Sequence, residues 1–258
     1  MRLTGMGRTA MTALVAAAGV VAALLTGCSG SGPGAGQQAI PRALVVAGGR
    51  EIVVPVTIGC ASGSRLTATA TASQVTLVLH LYSDPRGAAC AAAARGPVAA
   101  TVTISRPLGH RSLVDGTGRG RIPYLDGARL PRLTYLPAGY RFSHYVPFPS
   151  DGWERVYTSS FRQDAPIQVM QAPGHDAAGL ERWGNRRGPP VKAGGRMLAV
   201  YLNATGAHVY GRGVAWRAGG WSYAVGTIEA LNGQQPLPER QLVQVVTGFQ
   251  AGTATASP

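Results

Sequence analysis

The chain has 258 residues, 45% hydrophobic and 14% charged, with 36 glycines, 18 prolines and a formal net charge of +13. That apolar share excludes wholesale disorder, and Gly plus Pro at about a fifth of the chain, without a G-X-Y period, excludes collagen, coiled coil and a mostly helical bundle. The basic excess is almost all arginine, since Lys192 is the sole lysine among 24 basic side chains. The arginines are spread singly. The densest basic group, Arg182, Arg186, Arg187 and Lys192, falls in a stretch rich in Gly and Pro and reads as a loop. A nucleic-acid binder concentrates its charge on one face or helix. This pattern reads as a solvated basic surface, and no nucleic-acid partner is expected.

Residues 1 to 28 form an address. Arg2 and Arg8 are followed by an uncharged apolar run from Met11 to Leu25. A membrane span needs about 20 such residues, so the run is short for a span and suits the apolar region of a signal peptide. It ends in Leu25-Thr26-Gly27-Cys28, which resembles a bacterial lipobox. The resemblance implies diacylglycerol on the Cys28 thiol, cleavage after Gly27, and a lipid anchor on the outer face of a cytoplasmic membrane. An ordinary secretory signal with a chance cysteine is the other reading. Two acyl chains make attachment durable where one is marginal. Loss of Arg2 and Arg8 with the signal leaves a net charge of +11. The stretch from Ser29 to Gln38 is Gly, Ser, Pro, Gln and the single Ala35, without an apolar face. It reads as part of a flexible tether over residues 28–41, with a reach of about 15–20 Å.

The first folded half is placed at residues 42–128. Glu51–Ile58 is β-branched and apolar, Arg65–Ala72 alternates Thr with Leu and Ala, and Val98–Arg106 is a further strand. Gln74–Tyr82 places Val75, Leu77, Leu79 and Leu81 on one face. Period-2 alternation marks strands with one buried face, and four of them suggest a small sandwich. With Cys28 assigned to lipid, Cys60 and Cys90 remain, and an even pair in an exported protein favours a disulfide. A C-x-x-C motif is absent, and two cysteines without nearby histidine do not make a zinc site. Pro107-Leu108-Gly109-His110-Arg111-Ser112-Leu113-Val114-Asp115 is similar to a "PLG-x-R-x-L-x-D" segment of exported actinobacterial proteins. That resemblance implies a compact β-domain and no known activity.

Prolines without periodicity from Pro123 to Ala138 put the boundary near Arg129, and the second half at 129–250. Gly139–Val146, Trp153–Phe161, Ile167–Ala172, Met197–Leu202 and Ala207–Arg212 are strand candidates. Gly219-Gly220 between alternating runs signals a two-residue hairpin. Its register pairs Ala218 with Trp221, Trp216 with Tyr223 and Val214 with Val225, all on one face. Pro238–Gly248 reads as a helix whose stripe of Leu242, Val245, Val246 and Phe249 would cover the sheet. Residues 251–258 read as a frayed tail. Leu136-Pro137-Ala138-Gly139-Tyr140, the Trp216, Gly220 and Tyr223 hairpin and the closing helix resemble the C-terminal domain of exported proteins linked to anti-sigma factors. A looser likeness is to MucB/RseB-type periplasmic lipoproteins. The family implies a curved sheet with a helix, used for binding.

The expected class is therefore mainly β or α+β: a small β-sandwich, then an antiparallel sheet under one helix. No catalytic set emerges. There is no G-x-S-x-G, and His80, His110, His144, His175 and His208 are isolated in sequence, so neither a metal nor a cofactor is expected. Asp151 and Glu154 are close, but Asp151-Gly152 is a turn signal and Glu154 reads as an exposed strand residue. Gly116-Thr117-Gly118-Arg119-Gly120 lacks the following helix that a phosphate cradle needs. Trp153, Tyr157, Trp216, Trp221 and Tyr223 are the candidate ligand-facing aromatics, able to line a concave site for lipid or glycan. The core of a small β-domain is the competing reading. The function expected is a non-catalytic, membrane-anchored binding or envelope-sensing module, with an envelope protein, lipid or glycan as partner. The alternative is an envelope hydrolase with a site assembled between the two halves.

Overall fold

A computed structural model describes residues 36–57, 61–83, 98–148, 151–161, 163–174, 184–205, 208–228 and 234–250. The expected signal peptide, Cys28 lipidation, the Cys60–Cys90 disulfide and the 251–258 tail lie outside these residues. Among the described residues the chain is mainly β with one α-helix, the class expected.

Two sheets stack in the first half. The outer one joins β1 (Gly36–Gln38), β4 (Ala61–Ala70), β5 (Gln74–Ser83), β7 (Ser112–Asp115) and β8 (Gly120–Arg121), with β5 central. The inner one runs in the order β6 (Val98–Thr103), β3 (Glu51–Val56), β2 (Ala43–Val46), β9 (Tyr124–Asp126). Val75, Leu77 and Leu79 of β5 meet Ile52, Val54 and Val56 of β3 in one core, as the alternation requires. The opposite face of the inner sheet is also buried. Leu44, Val46 and Val53 cluster with Leu130 and Trp153 from the second half. A strand buried on both faces reads as a continuous apolar run, which is why the sequence Ala-Leu-Val-Val at 43–46 carried no alternation. Gly36–Gln38, expected within the tether, is a strand paired with Leu79–Leu81.

The second half forms a seven-stranded antiparallel sheet in the order β11 (Tyr140–Pro147), β12 (Trp153–Ser159), β13 (Ile167–Pro173), β17 (Trp221–Ile228), β16 (His208–Ala218), β15 (Arg196–Thr205), β14 (Arg186–Ala193). The β16–β17 hairpin has the expected register, Trp216 opposite Tyr223 and Val214 opposite Val225. Gly219 and Gly220 take φ of 57° and 77°, as a tight primed turn demands. Helix α1 (Glu239–Thr247) lays Leu242, Val245 and Val246 on that face, with Phe249 in the same core. A ribbon of β10 (Arg132–Leu133) and β18 (Phe249–Gln250) completes the fold. Of the basic stretch read as a loop, Arg182 lies outside the described residues, and Arg186, Arg187 and Lys192 are instead on the edge strand β14. Its register breaks between Gly188 and Val191, around Pro189 and Pro190, which blunts an exposed edge.

The halves are wedded through Arg42. Its guanidinium donates to Phe148 O, pairs with Asp151 at 3.2 Å and lies 5.4 Å from the Trp153 ring centroid. Asp151 holds a φ of 62°, tolerable for Asp, in a turn closed by Phe148 N–H to Gly152 O.

Candidate functional site

The five aromatics singled out from sequence are core residues more than ligand-facing ones. Trp153 is buried against Leu44, Val46 and Leu130, beneath the inner sheet of the first half. Trp216 and Tyr223 stack at 5.5 Å under α1, with Phe249 edge-on to Trp216 at 4.7 Å. Trp221 packs at the rim of that core, and Tyr157 is buried in it. The structure brings Trp216, Trp221, Tyr223 and Tyr157 to one face of the large sheet, but α1 and its neighbours cover them.

A different aromatic pair reaches a cleft, with Phe142 exposed and Tyr145 half-buried against the core that Trp153 joins. In β11 the pairing with β12 slips between Phe142, opposite Tyr157, and His144, opposite Val156, so Ser143 is an inserted bulge residue. Without the bulge Phe142 and Tyr145, three residues apart, would point to opposite faces. With it their rings sit 4.8 Å apart, and Phe142 lies 6.0 Å from Tyr157 in an edge-on arrangement. Phe142 remains 45% exposed.

These rings line a cleft of about 540 Å³ between β11 and the β3–β6 edge, bounded also by Glu51, Thr101, Ser143 and His144. A second cleft of about 590 Å³ lies on the other side of Tyr145 and takes in Arg155, Arg132, Asp126 and the Ala47–Gly49 turn. Both fall in the size range of ligand sites. Burial raises the Tyr145 hydroxyl's pKa; neighbouring Arg155 opposes the shift and Glu51 adds to it. The Arg155 guanidinium is fixed by carbonyls of the inter-half segment, Pro131 O and Gly127 O at 3.3 Å, and lies 5.8 Å from the Tyr145 ring centroid. The double cleft thus offers an aromatic platform, a carboxylate, an imidazole and hydroxyls on one side, and a held guanidinium on the other. Sequence reasoning missed Phe142, Tyr145, Glu51 and Arg155, because the bulge that gathers the rings leaves no alternation to read.

The other sequence candidates resolve as structure. Pro107 lies against Gly49, Leu108 is core and donates its N–H to Gly49 O, and Gly109 takes a φ of 56°. Arg111 closes the corner by donating to the carbonyls of Arg106, Pro107 and Leu108. Asp115 is buried and accepts from Ile40 N at 3.1 Å and Thr117 N at 2.9 Å. The motif residues of this segment are therefore those that make the corner. In Leu136-Pro137-Ala138-Gly139-Tyr140, Tyr140 N–H bonds Pro137 O across a turn whose Gly139 has a φ of 87°. Asp151 pairs with Arg42, and Glu154, expected to be exposed, is buried. Among the described residues no three His, Cys, Asp or Glu side chains are grouped to hold a metal ion, and no helix is long and apolar enough to cross a membrane. Compared with known protein families and with curated proteins, the chain matches none.

Proposed function

We propose that this chain is a membrane-anchored extracytoplasmic lipoprotein that binds an envelope saccharide, without chemical conversion, in the cleft between its halves. The lipobox-like Leu25–Cys28 supports the anchor. The single observation that carries the binding reading is the exposed Phe142 ring, 4.8 Å from the half-buried Tyr145 ring in the cleft wall. A sugar presents an apolar C–H face and a polar rim. An exposed ring flanked by Glu51, Thr101, Ser143 and His144 matches both. A covered sheet with one helix also agrees with the binding role implied by the MucB/RseB-type likeness. Sensing would follow if occupancy altered what the protein contacts at the membrane.

The test of the anchor is partitioning: the wild type enters the detergent phase and Cys28→Ala does not, whereas unmodified Cys28 in mature secreted protein would refute it. The test of the site is an array of hexose and amino-sugar oligosaccharides. Wild type should retain a subset and Phe142→Ala should lose it.

An envelope hydrolase is the second reading. It is favoured by one observation, that Glu51, Ser143 and His144 line the same cleft, with Ser143 Oγ 2.9 Å from His144 Nδ1. Turnover of a retained saccharide by wild type, abolished in Glu51→Gln, would decide for it.

A further inference from the structure

We infer that the corner built by Pro107–Arg111 is an anion-binding surface for a phosphodiester-linked polymer of the envelope, separate from the cleft on Tyr145. Two adjoining grooves, of about 760 Å³ and 880 Å³, meet at His110 and Arg111. Arg121 and Arg129 line the first and Arg106 the second. These arginines come from separate positions in sequence and are gathered by the β7–β8 hairpin and the turn after β9. Among the described residues Asp126 is the one carboxylate lining either groove, and it accepts from Ala128 N–H at 2.9 Å. Cleft walls of one sign concentrate the field and draw a counter-charged ligand. Guanidinium groups add forked hydrogen bonding suited to phosphate. Thr71, Ser73 and Ser105 place hydroxyls along the second groove. Arg111 is committed to the corner, but its charge stays at the junction of the two grooves.

The shape of the surface indicates which phosphate source suits it. The two grooves run into one another at His110 and Arg111, with Arg121 and Arg129 along one and Arg106 along the other. A linear chain with phosphates at successive positions lies along both, whereas a single lipid headgroup presents one phosphate.

The test uses the mature acylated protein in phosphatidylcholine nanodiscs, titrated with a fluorescent synthetic poly(glycerol phosphate) oligomer. Wild type should bind with strong salt dependence. Arg106→Gln/Arg121→Gln, both exposed sites, should bind on the order of tenfold more weakly, and the slope of log affinity against log salt should shrink by about two. Arg240→Gln, exposed on α1, should change neither. Equal binding by wild type and the double variant overturns the inference. So does failure to capture polymer while the same two arginines bind phosphatidylglycerol vesicles. If the wild type does not enter nanodiscs, the anchor reading fails. The same comparison on the soluble chain then decides the surface.

Discussion

At the scale of single residues, buried polar atoms make the sharpest claims. Trp216 is buried with an indole N–H that has no hydrogen-bond partner among the described residues. Trp216→Ala should cost about 3–5 kcal/mol, as large truncations in a core do. Trp216→Phe should cost only about 1–2 kcal/mol, because it also removes the unmet donor. Arg217→Ala, an exposed side chain next to the turn on the opposite face, should cost under about 0.5 kcal/mol. Chemical denaturation of the three variants checks the order. Tyr140 carries a pH signature. Burial, with Asp164 second, pushes its phenol up to about 12 from the ordinary 10.0, and its hydroxyl donates to Ala165 O at 2.7 Å. A folded pKa above the unfolded one means stability that is complete below pH 10 and is lost as pH rises toward 12. Tyr140→Phe should be less stable at neutral pH and lose less on going from pH 10 to 12; an unchanged alkaline slope would contradict this. Trp216 and its partner residues were legible in sequence because alternation and the Gly-Gly turn fix both face and register. Glu154 was not, because a lone acid in a strand carries no sign of which face is covered.

At the scale of elements, what sequence revealed followed from periodicity and turn chemistry. β5 and α1 each have one buried face and one more open one, whereas the β16–β17 hairpin, with Ala215 and Trp216 both buried, is covered on both faces and was fixed by its Gly-Gly turn; each lies where the sequence put it. β2 and β14 escaped for different reasons: β2 is buried on both faces, and β14 carries two prolines on an edge. β11 lies where a strand was expected, but its interruption at Ser143 escaped. That interruption hid the candidate site, since the bulge rather than composition brings Phe142 and Tyr145 together. Deleting Ser143 should restore strict alternation and send Phe142 to the opposite face, abolishing saccharide capture. The turn leading into β11 is equally demanding. A Cβ on Gly139, already at a φ of 87°, would lie 2.8 Å from the Phe161 ring. Gly139→Ala should therefore destabilise by about 1–3 kcal/mol, read as a lower melting temperature.

At the scale of the whole molecule, the sequence placed a boundary near Arg129, and the segment there is anchored on both sides. Leu130 is buried in the cluster that unites Leu44, Val46 and Val53 with Trp153, and Arg155 holds the Gly127 and Pro131 carbonyls. The halves should therefore melt in one transition, with Trp153→Ala lowering it by about 3–5 kcal/mol; two separated transitions in calorimetry would contradict this shared core. The same junction makes the cleft, because β11 of one half faces β3 and β6 of the other across Tyr145. The central claim is that this cleft binds a saccharide through Phe142. Calorimetric titration of an array-selected oligosaccharide into wild type and Phe142→Ala, with the melting temperature of each recorded, tests it most directly. The account predicts that Phe142→Ala keeps its melting temperature, since the ring is 45% exposed, and loses the binding heat. A Phe142→Ala protein that still binds like wild type would contradict it.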